Sequence, residues 1–289
     1  MNSRPVFKVV LLGTGGPKID PDRMGPATLV NLKGNNYLFD AGRGAAIQLA
    51  RSGVEARDLH AIFITHHHFD HLSSLDDVLF CAWNEGRSEV LPVYGPPGTA
   101  SIVESLFNDI YQNDIRFREL EAQLTGNTLS DIREMIQVIE IERGIIYQQN
   151  GISIECQPVK HGHGLGISNT HWHCLGYNIQ HAGKFVAISG DCVDCEGLRA
   201  LSQEADLLVQ CCYLAEAEII DEEHRIIAEH ILACSTMAGE IAVKANVKAI
   251  ALTHLRRKTR KMLRQVELDV KKSFSGRIYV GHDLMNIIV

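Results

Sequence analysis

The sequence predicts an α/β protein in which two β-sheets are covered by helices, and three observations support that prediction. Apolar runs typical of strands alternate with helical patterns through most of the chain. No linker, low-complexity tract or internal repeat divides the 289 residues. A chain of this length, with 45% hydrophobic and 22% charged residues, can bury a substantial core. We therefore expect a single domain over residues 1–289.

The amino-terminal half consists mainly of predicted strands. Short apolar runs bounded by glycine, proline or asparagine indicate strands, and apolar residues at helical spacing indicate helices. A tight loop at residues 13–16 follows the first strand, and residues 33–35 turn a hairpin. The predicted strands are residues 7–12, 27–32, 36–39, 62–65 and 91–94, and the predicted helices are residues 45–51, 75–83 and 100–111.

The carboxyl-terminal half resumes this alternation after a less regular stretch. Residues 112–150 are more polar and weakly periodic, so we expect a lid or a dimer contact there. Beyond them, segments with apolar runs typical of strands again alternate with segments that have apolar residues at helical spacing. The predicted strands are residues 152–158, 175–180, 185–189, 207–210, 249–253 and 278–280, and the predicted helices are residues 196–204, 236–245 and 259–274.

Composition and charge restrict the location and the partners. No apolar run reaches the length of a membrane span, and the first residues lack the cleavage pattern of a signal peptide. We therefore expect a cytoplasmic protein that contacts no membrane. The eight cysteines, including the isolated pair Cys192 and Cys195, fit free thiols better than a disulfide framework or a zinc knuckle. The formal charge of −7 disfavours general binding of nucleic acid.

The densest group of metal-binding side chains follows the apolar strand at residues 61–64. In this loop His66 and His68 face one centre, while Asp70 and His71 face a second. Imidazole nitrogen and carboxylate oxygen suit Zn²⁺ and its first-row neighbours, so the spacing predicts a two-metal loop. The alternative is a solvated loop, or a chance cluster in a chain with 14 histidines.

Three later segments each place a metal-binding residue directly after an apolar strand. They end at His161, Asp191 and His254. A single residue of this kind is more often a hydrogen-bonded loop residue than a ligand. All three in one chain with the first loop indicate a complete metal site.

With these motifs the sequence resembles the metallo-β-lactamase fold superfamily, and within it the ribonuclease Z and arylsulfatase-like branch. The resemblance covers nearly the whole chain and implies an αββα sandwich of two mixed sheets. It implies one metal on His66, His68 and His161, and a second on Asp70, His71 and His254. Asp191 would bridge the two. The motifs that support the resemblance are residues 12–15, 39–42, 66–71, 189–191 and 252–254.

The resemblance also implies supporting and catalytic roles. Asp40 matches a carboxylate that orients a ligating imidazole, although a turn-closing role is equally compatible with the sequence. Two cations that share a water lower its pKa and generate hydroxide near neutral pH, and Asp70 is placed to orient it. His230 matches the histidine that protonates the leaving group, with His224 or a purely structural histidine as competitors. This set of histidine and aspartate ligands favours Zn²⁺, with Mn²⁺ and Fe²⁺ as alternatives.

Two features suggest the substrate. The second ligand is His68, whereas flavodiiron-type oxygen reductases of this superfamily carry a glutamate there, so hydrolysis is favoured over redox chemistry. Ribonuclease Z proteins typically carry a long arm after the third ligand, and residues 175–185 leave no room for it. We therefore expect a small, possibly anionic ester substrate (phosphodiester, sulfate ester or lactone) and regard nucleic acid as an unlikely partner.

Alternative functions and several residues stay open. The alternatives are a ribonuclease Z-type tRNA 3′ endonuclease without the arm and a non-catalytic metal-binding sensor, and the resemblance alone suggests a homodimer. The insertion at residues 162–174 is expected to wall the substrate pocket, with Trp172 stacking on a ring. For the remaining residues, contact with an anionic substrate and a solvated surface are both compatible with the sequence: His163, His171, His173 and the basic cluster from Arg256 to Lys261.

Overall fold

The computed structural model describes residues 7–168 and 171–289, and two seven-stranded sheets form its centre. The strands in chain order are β1 (Phe7–Gly13), β2 (Ala27–Leu32), β3 (Asn35–Phe39), β4 (Leu59–Phe63), β5 (Leu91–Gly95), β6 (Ile136–Glu140), β7 (Gly144–Gln149), β8 (Ile152–Pro158), β9 (Leu175–His181), β10 (Lys184–Ile188), β11 (Leu207–Cys211), β12 (Ala249–Thr253), β13 (Arg277–Val280) and β14 (Met285–Ile288). The α-helices are α1 (Ala45–Arg51), α2 (Phe69–Leu72), α3 (Leu75–Asn84), α4 (Thr99–Ser105), α5 (Gln112–Thr125), α6 (Ile132–Met135), α7 (Glu196–Ser202), α8 (Glu222–Ile226), α9 (Ser235–Lys244) and α10 (Arg260–Lys271).

The two sheets have the same pairing pattern. The first has the order β14-β1-β2-β3-β4-β5-β6, and the second has the order β13-β12-β11-β10-β9-β8-β7. In the first sheet the pairs from β14 to β3 are antiparallel and those from β3 to β6 are parallel. In the second sheet the pairs from β7 to β10 are antiparallel and those from β10 to β13 are parallel. Each sheet is therefore mixed, as predicted.

Alternation along the strands produces three layers of apolar packing. Val9 and Leu11 of β1 pack between the sheets, whereas Val10 and Leu12 pack beneath the outer helices. In the second sheet Val209 faces the space between the sheets and Leu208 faces the helices on the other side. Because successive side chains of a strand point to opposite faces, this division confirms the predicted αββα arrangement.

Aromatic side chains join the sheets beneath the end where the histidine loop begins. The rings of Phe39, Phe63 and Tyr94 stack with centroids 4.8 Å and 4.9 Å apart. Tyr177 of the second sheet meets Phe63 edge-on at 5.7 Å, and its hydroxyl donates to the carbonyl of Ile64 at 2.5 Å. This packing holds the carboxyl end of β4 against the opposite sheet, so the loop that follows is positioned from both sides.

Residues 112–150 are more regular than the sequence suggested. They form α5, α6, β6 and β7, and the last two are the edge strands of the first and second sheets. The weak periodicity has a physical reason, because Ile115 is the one buried residue of α5 and β7 contains no buried residue. The lid or dimer contact expected for this stretch stays a prediction.

Another segment departs from the expectation that no apolar run reaches a membrane span. Glu222–Lys244 is long and apolar enough by length and composition, and 50% of its most apolar window is buried inside the protein. Its backbone turns extended at Leu232 and Cys234, between a wide helical turn at Ile227–Ile231 and α9. Core helices of folded proteins meet the same criterion, so this segment is weak evidence for a membrane contact.

Candidate metal centre

The loop after β4 turns its side chains in two directions. His66, Asp70 and His71 are buried, with exposed fractions of 0%, 2% and 2%. His67 points away from them, because its Nε2 lies 2.9 Å from the Thr99 hydroxyl. Asp70 and His71 belong to the single helical turn α2, which follows His68 directly. Successive side chains of the loop therefore point in different directions, so that His67 faces away from the site while His66 and His71 face into it.

A first group of candidate ligands consists of His66, His68, His161 and Asp191, whose donor atoms lie within 4.8 Å of one another. His68 Nδ1 is 3.0 Å from His66 Nε2 and 3.1 Å from His161 Nε2. Asp191 Oδ2 lies 3.9 Å from His66 Nε2 and 4.0 Å from His161 Nε2. Three imidazoles and one carboxylate thus converge, as the sequence suggested.

A second group consists of Asp70, His71 and His254, all buried. His254 Nε2 lies 3.3 Å from Asp70 Oδ2 and 3.0 Å from Asp191 Oδ2. The same oxygen of Asp191 is 3.3 Å from His71 Nε2. Asp191 is therefore within 4.0 Å of imidazoles from both groups, which is the position that a bridging ligand needs.

Hydrogen bonds on the far side of three imidazoles define which nitrogen faces inward. Asp40 accepts from His71 Nδ1 at 2.7 Å and from the Thr65 hydroxyl at 2.9 Å. Because the Thr65 proton goes to Asp40, its oxygen accepts from His66 Nδ1, also at 2.9 Å. His161 Nδ1 donates to the carbonyl of Ile231 at 2.7 Å. Each of these rings therefore presents the lone pair of Nε2 to the centre.

Backbone conformation and close packing hold the other side of the site. Asp40 and His254 both adopt left-handed backbone conformations, with φ of 59° and 55°, which cost on the order of 1–2 kcal/mol each. Gly16 lies against the His254 ring, and a Cβ at that position would be 2.9 Å from Cε1 of His254. A glycine is therefore required where the loop after β1 crosses this imidazole.

The electrostatics differ between the two groups. Burial lowers the pKa of His68 to about 4, so its ring is neutral at physiological pH. Burial also opposes a charge on His254, but the adjacent Asp191 and Asp70 outweigh it and raise its pKa to about 10. Burial likewise opposes the charge of Asp191, yet His254 and His71 hold its pKa well below the usual range. In the second group, therefore, the carboxylates of Asp70 and Asp191 stabilise positive charge, whereas the His68 ring of the first group is neutral.

The donor set fits divalent cations. The Nε2 lone pairs of His66 and His161 both point at His68 Nδ1, from 3.0 Å and 3.1 Å, and a divalent cation between them would bind all three nitrogens at once. His71 Nε2 and His254 Nδ1 are buried without a hydrogen bond. A cavity of about 30 Å³ borders Asp191, His71 and His254. This volume is enough for about one water molecule. Such His and Asp sets suit Zn²⁺, Mn²⁺ and Fe²⁺ alike.

The loop between His161 and β9 forms one wall of the site. The Trp172 ring lies 4.6 Å from the His68 ring and 5.8 Å from the His66 ring. His163 closes the loop internally, since its Nδ1 accepts from the His161 backbone N–H at 3.0 Å and its Nε2 then donates to the Trp172 carbonyl at 2.8 Å. Asn169, within the predicted insertion, lies outside the described residues.

His171 and His173 of this insertion differ in their exposure. Nδ1 of His171 is 2.7 Å from the Ser168 hydroxyl on the exposed part of the loop. His173 is half-buried. Thr170 lies outside the described residues. Neither His171 nor His173 joins the two groups of converging side chains.

The two candidate proton donors occupy different environments. His230 lies in the wide turn Ile227–Ile231, with 39% of its side chain exposed, and its carbonyl accepts from the Gly162 N–H at 2.8 Å. His224 is engaged at both ring nitrogens, with Nδ1 2.7 Å from Asp221 and Nε2 3.3 Å from the guanidinium of Arg256. His230 is thus held beside the His161 loop, and His224 is held in a surface network.

The cysteines form no second metal-binding set with Asp191. Cys192 turns away from the site, and its backbone N–H lies 3.3 Å from the sulfur of Cys211. The Cys211 thiol in turn donates to the Cys192 carbonyl at 3.2 Å. All eight cysteines of the chain, including Cys195, are free thiols. Adjacent residues of an extended segment point to opposite sides, which explains why Cys192 faces away from the site that Asp191 enters.

Three contributors to the site were not recognised from the sequence. Thr65 links Asp40 to His66, Gly16 allows the close approach to His254, and the Tyr213 ring lies 5.9 Å from the His254 ring. Thr65 directly precedes the histidine motif and Gly16 ends a glycine-rich loop, so both had a local signal. Tyr213 had none, because its place depends on how β11 and β12 pair.

Comparison with known proteins identifies relatives along the whole chain. A model of the beta-lactamase superfamily domain matches residues 35–255. Ribonuclease Z from Mycolicibacterium paratuberculosis is 32% identical over 291 residues, which covers 98% of this chain and 99% of the relative. Ribonuclease Z from Mycobacterium bovis is also 32% identical, over 298 residues, with 98% of this chain and 99% of the relative covered.

Solved structures show the same fold. The metallo-beta-lactamase fold protein YhfI from Bacillus subtilis matches with a TM-score of 0.73 and 20% identity, covering 99% of this chain and 100% of its own. The short form of human tRNase Z matches with a TM-score of 0.69 and 22% identity, covering 97% of this chain and 98% of its own.

These relatives contradict the expectation of a small-molecule substrate with nucleic acid as an unlikely partner. The relatives at 32% identity are named as ribonucleases, so that expectation is wrong. It rested on the missing arm after the third ligand and on the formal charge of −7, which sums the whole chain. A phosphate strand responds to the local arrangement of cations, which a sum over all residues does not describe.

Proposed function

We propose that this chain, which belongs to the beta-lactamase superfamily and is a metal-dependent hydrolase, is a ribonuclease Z-type endonuclease that cuts tRNA precursors at their 3′ side. The observation that supports this most strongly is the similarity to ribonuclease Z proteins over 98% of the chain. The activity would reside in a single domain over residues 1–289. Because two residues separate β9 from β10, the enzyme would act without the arm expected after the third ligand.

The proposed cofactors are two divalent metal ions, Zn²⁺ by preference. His66, His68 and His161 would hold one ion, Asp70, His71 and His254 the other, and Asp191 both. When bound, such a pair makes water acidic enough to attack at neutral pH and neutralises charge on a phosphodiester. The convergence of seven side chains from two sheets, six of them buried, supports this assignment.

The protein's own residues would orient the reacting groups. Asp40 and Thr65 fix the rings of His71 and His66, so those nitrogens need no rearrangement when substrate binds. Asp70 has a carboxylate oxygen 3.3 Å from His254, and its role is to align the attacking water. Trp172 covers the His68 side of the site, where it can stack with a nucleobase.

His230 is the proposed proton donor to the leaving oxygen of the ribose. The leaving alkoxide has a high pKa, so protonating it accelerates departure by about 10²–10⁴-fold. His230 is more available for this role than His224, because both ring nitrogens of His224 are engaged by Asp221 and Arg256. A measurement that varies the leaving group separates the two histidines.

The experiment compares a precursor tRNA with bis-p-nitrophenyl phosphate, an aryl sulfate and a lactone, using metal-loaded enzyme. The proposal predicts one endonucleolytic cut that releases the 3′ trailer. His230→Ala should slow RNA cleavage by about 10²-fold or more and slow loss of p-nitrophenolate far less, since that leaving group needs no proton. The matched variant His224→Ala should have the smaller effect on RNA. Intact RNA together with rapid turnover of one small ester would refute the proposal.

A cytoplasmic homodimer is a further part of the proposal. Helix α5 exposes Phe117, Leu120 and Leu124, with exposed fractions of 65%, 50% and 88%, which is unusual for large apolar side chains. These residues recur at helical spacing, so they form one face that a second subunit would bury. Light scattering on purified protein tests this, and a monomer at micromolar concentration would contradict it.

A further inference from the structure

The basic cluster after His254 separates into two parts with different environments. Arg256 and Lys258 turn into the protein. The guanidinium of Arg256 lies 6.0 Å from the centre of the Tyr213 ring and 3.5 Å from Glu218. Lys258 pairs with the same Glu218 and donates to the Tyr213 carbonyl at 3.0 Å. Both cations are therefore engaged with Glu218, and the Lys258 side chain is fully buried.

The other part lies on α10 and points outward. Arg260, Lys261 and Arg264 are exposed, and no hydrogen bond or ion pair engages them within the described part of the chain. At 100° per residue these three side chains lie within about 100° of one another around the helix. They span about 6 Å along its axis. The buried residues Val266 and Val270 lie on the opposite side, packed in the core of the second sheet. We call these three residues the α10 cation patch.

The charge of this patch is not compensated locally. No acidic residue occurs in the first turn of α10, and the positive charges stand at the end of the helix where the macrodipole disfavours them. Lys271 of the same helix is paired with Glu267, so the carboxyl-terminal part is neutralised while the amino-terminal part is not. The patch thus contrasts with a chain whose net charge is −7.

We propose that the α10 cation patch binds the phosphate backbone of the RNA substrate, an inference that rests on the proposed function. Three cations on the convex surface of a helix suit an extended polyanion better than a small anion, which is bound by groups that converge around it. α10 begins six residues after His254, a candidate ligand, so chain length alone limits the distance between the start of the patch and His254 to about 20 Å. Its role is to position the substrate.

The test measures RNA affinity against salt concentration for the metal-loaded protein. The probe is a fluorescein-labelled tRNA that already lacks a 3′ trailer, so that nothing is cut during the titration. The variant Arg260→Gln/Lys261→Gln/Arg264→Gln removes the patch. Each phosphate contact adds roughly one unit to the slope of log affinity against log salt, so the slope should fall by about two to three units. Affinity at about 0.1 M salt should fall tenfold or more on the same basis.

A matched variant removes three cations elsewhere, so that both proteins lose the same net charge. Lys8, Lys33 and Arg116 lie on β1, on the β2–β3 turn and on α5, and no ion pair engages them within the ranges that the structure describes. Their replacement by glutamine should leave the salt slope within about half a unit of wild type. The patch variant should melt no lower than wild type, because it removes cations from a helix amino terminus.

Two results overturn the inference: equal salt slopes for the patch variant and wild type, or an equal loss of affinity in both triple variants. Cleavage of a precursor tRNA by the wild-type enzyme is measured in parallel. A wild type that shows patch-dependent binding but never cuts the precursor refutes the proposed function and supports the RNA-binding surface. Normal cutting with a patch-independent slope supports the function and refutes the surface.

Discussion

The two sheets have the same strand pattern but contribute to the candidate metal centre in different ways. The first sheet contributes four candidate ligands from one loop of six residues, His66 to His71. The second contributes three, His161, Asp191 and His254, from the ends of β8, β10 and β12. The first contribution is local in sequence, and the second exists only after the strands of the second sheet have paired and packed.

This difference also appears in how the ligands are held. The first sheet orients His66 and His71 with side chains, through Thr65 and Asp40. The second sheet orients His161 with a backbone carbonyl and His254 with close packing against Gly16. Substitutions should therefore affect the two halves by different routes.

Asp191→Asn should have the largest effect, because this one carboxylate faces imidazoles of both sheets within 4.0 Å. We expect RNA cleavage to fall by more than about 10³-fold, beyond the cost of removing a single electrostatic stabiliser. Turnover of the precursor tRNA by metal-loaded protein is the measurement. A loss of tenfold or less would mean that the two halves function without their shared ligand.

Asp40→Ala tests the side-chain support of the first sheet. The variant loses the acceptor of His71 Nδ1 and of the Thr65 hydroxyl, which frees the rotation of two inward-facing rings. Removing such a supporting carboxylate typically costs 10–100-fold in metal affinity or activity. Metal competition with a chromogenic chelator measures this. Unchanged affinity would assign Asp40 the turn-closing role instead.

Gly16→Ala tests the packing support of the second sheet. The added methyl group would lie 2.9 Å from Cε1 of His254, so the ring or the loop must shift by several tenths of an ångström. Because a misplacement of 1 Å can cost about 10²-fold, we expect a loss of about tenfold in kcat/KM. Gly34→Ala is the control, because its φ of 89° also strains an alanine but its Cβ would meet no atom within 4 Å, so it reports a loss of stability without a contact on His254. Equal activity of the two variants would show that His254 is not held by packing.

Thr65→Val should have the smallest effect. It keeps the shape of the side chain but removes the hydroxyl between Asp40 and His66. Loss of one such hydrogen bond is worth about 1 kcal/mol, so metal affinity should fall roughly fivefold. A change as large as that of Asp40→Ala would show that the hydroxyl, and not the carboxylate, organises the first sheet's ligands.

The division between the sheets also explains what the sequence could predict. The loop from His66 to His71 could be recognised directly, because a strand end fixes which side chains share a direction. His161, Asp191 and His254 could be proposed because each follows an apolar strand, and the family resemblance united them. The glycine-rich loop marked Gly16 but not its contact with His254, and Tyr213 had no local signal, because both contacts join segments distant in sequence.

Two predictions from the sequence failed, one about the regularity of residues 112–150 and one about nucleic acid as a partner. Residues 112–150 show weak periodicity because edge strands and an exposed helix bury few side chains, so their regular structure was missed. The formal charge suggested that nucleic acid was an unlikely partner, whereas the cations of α10 are concentrated on one exposed arc. A summed charge contains no information about such an arrangement.

The central claim is that the two sheets together hold one pair of metal ions through Asp191. The most direct test is metal content by mass spectrometry for wild type, Asp191→Asn and His67→Gln, since His67 belongs to the same loop but faces Thr99. The account predicts two equivalents per chain for wild type, one for each group of converging side chains, and two for His67→Gln. It predicts less than one equivalent for Asp191→Asn. Two equivalents retained by Asp191→Asn, or a wild type that binds a single ion, would contradict it.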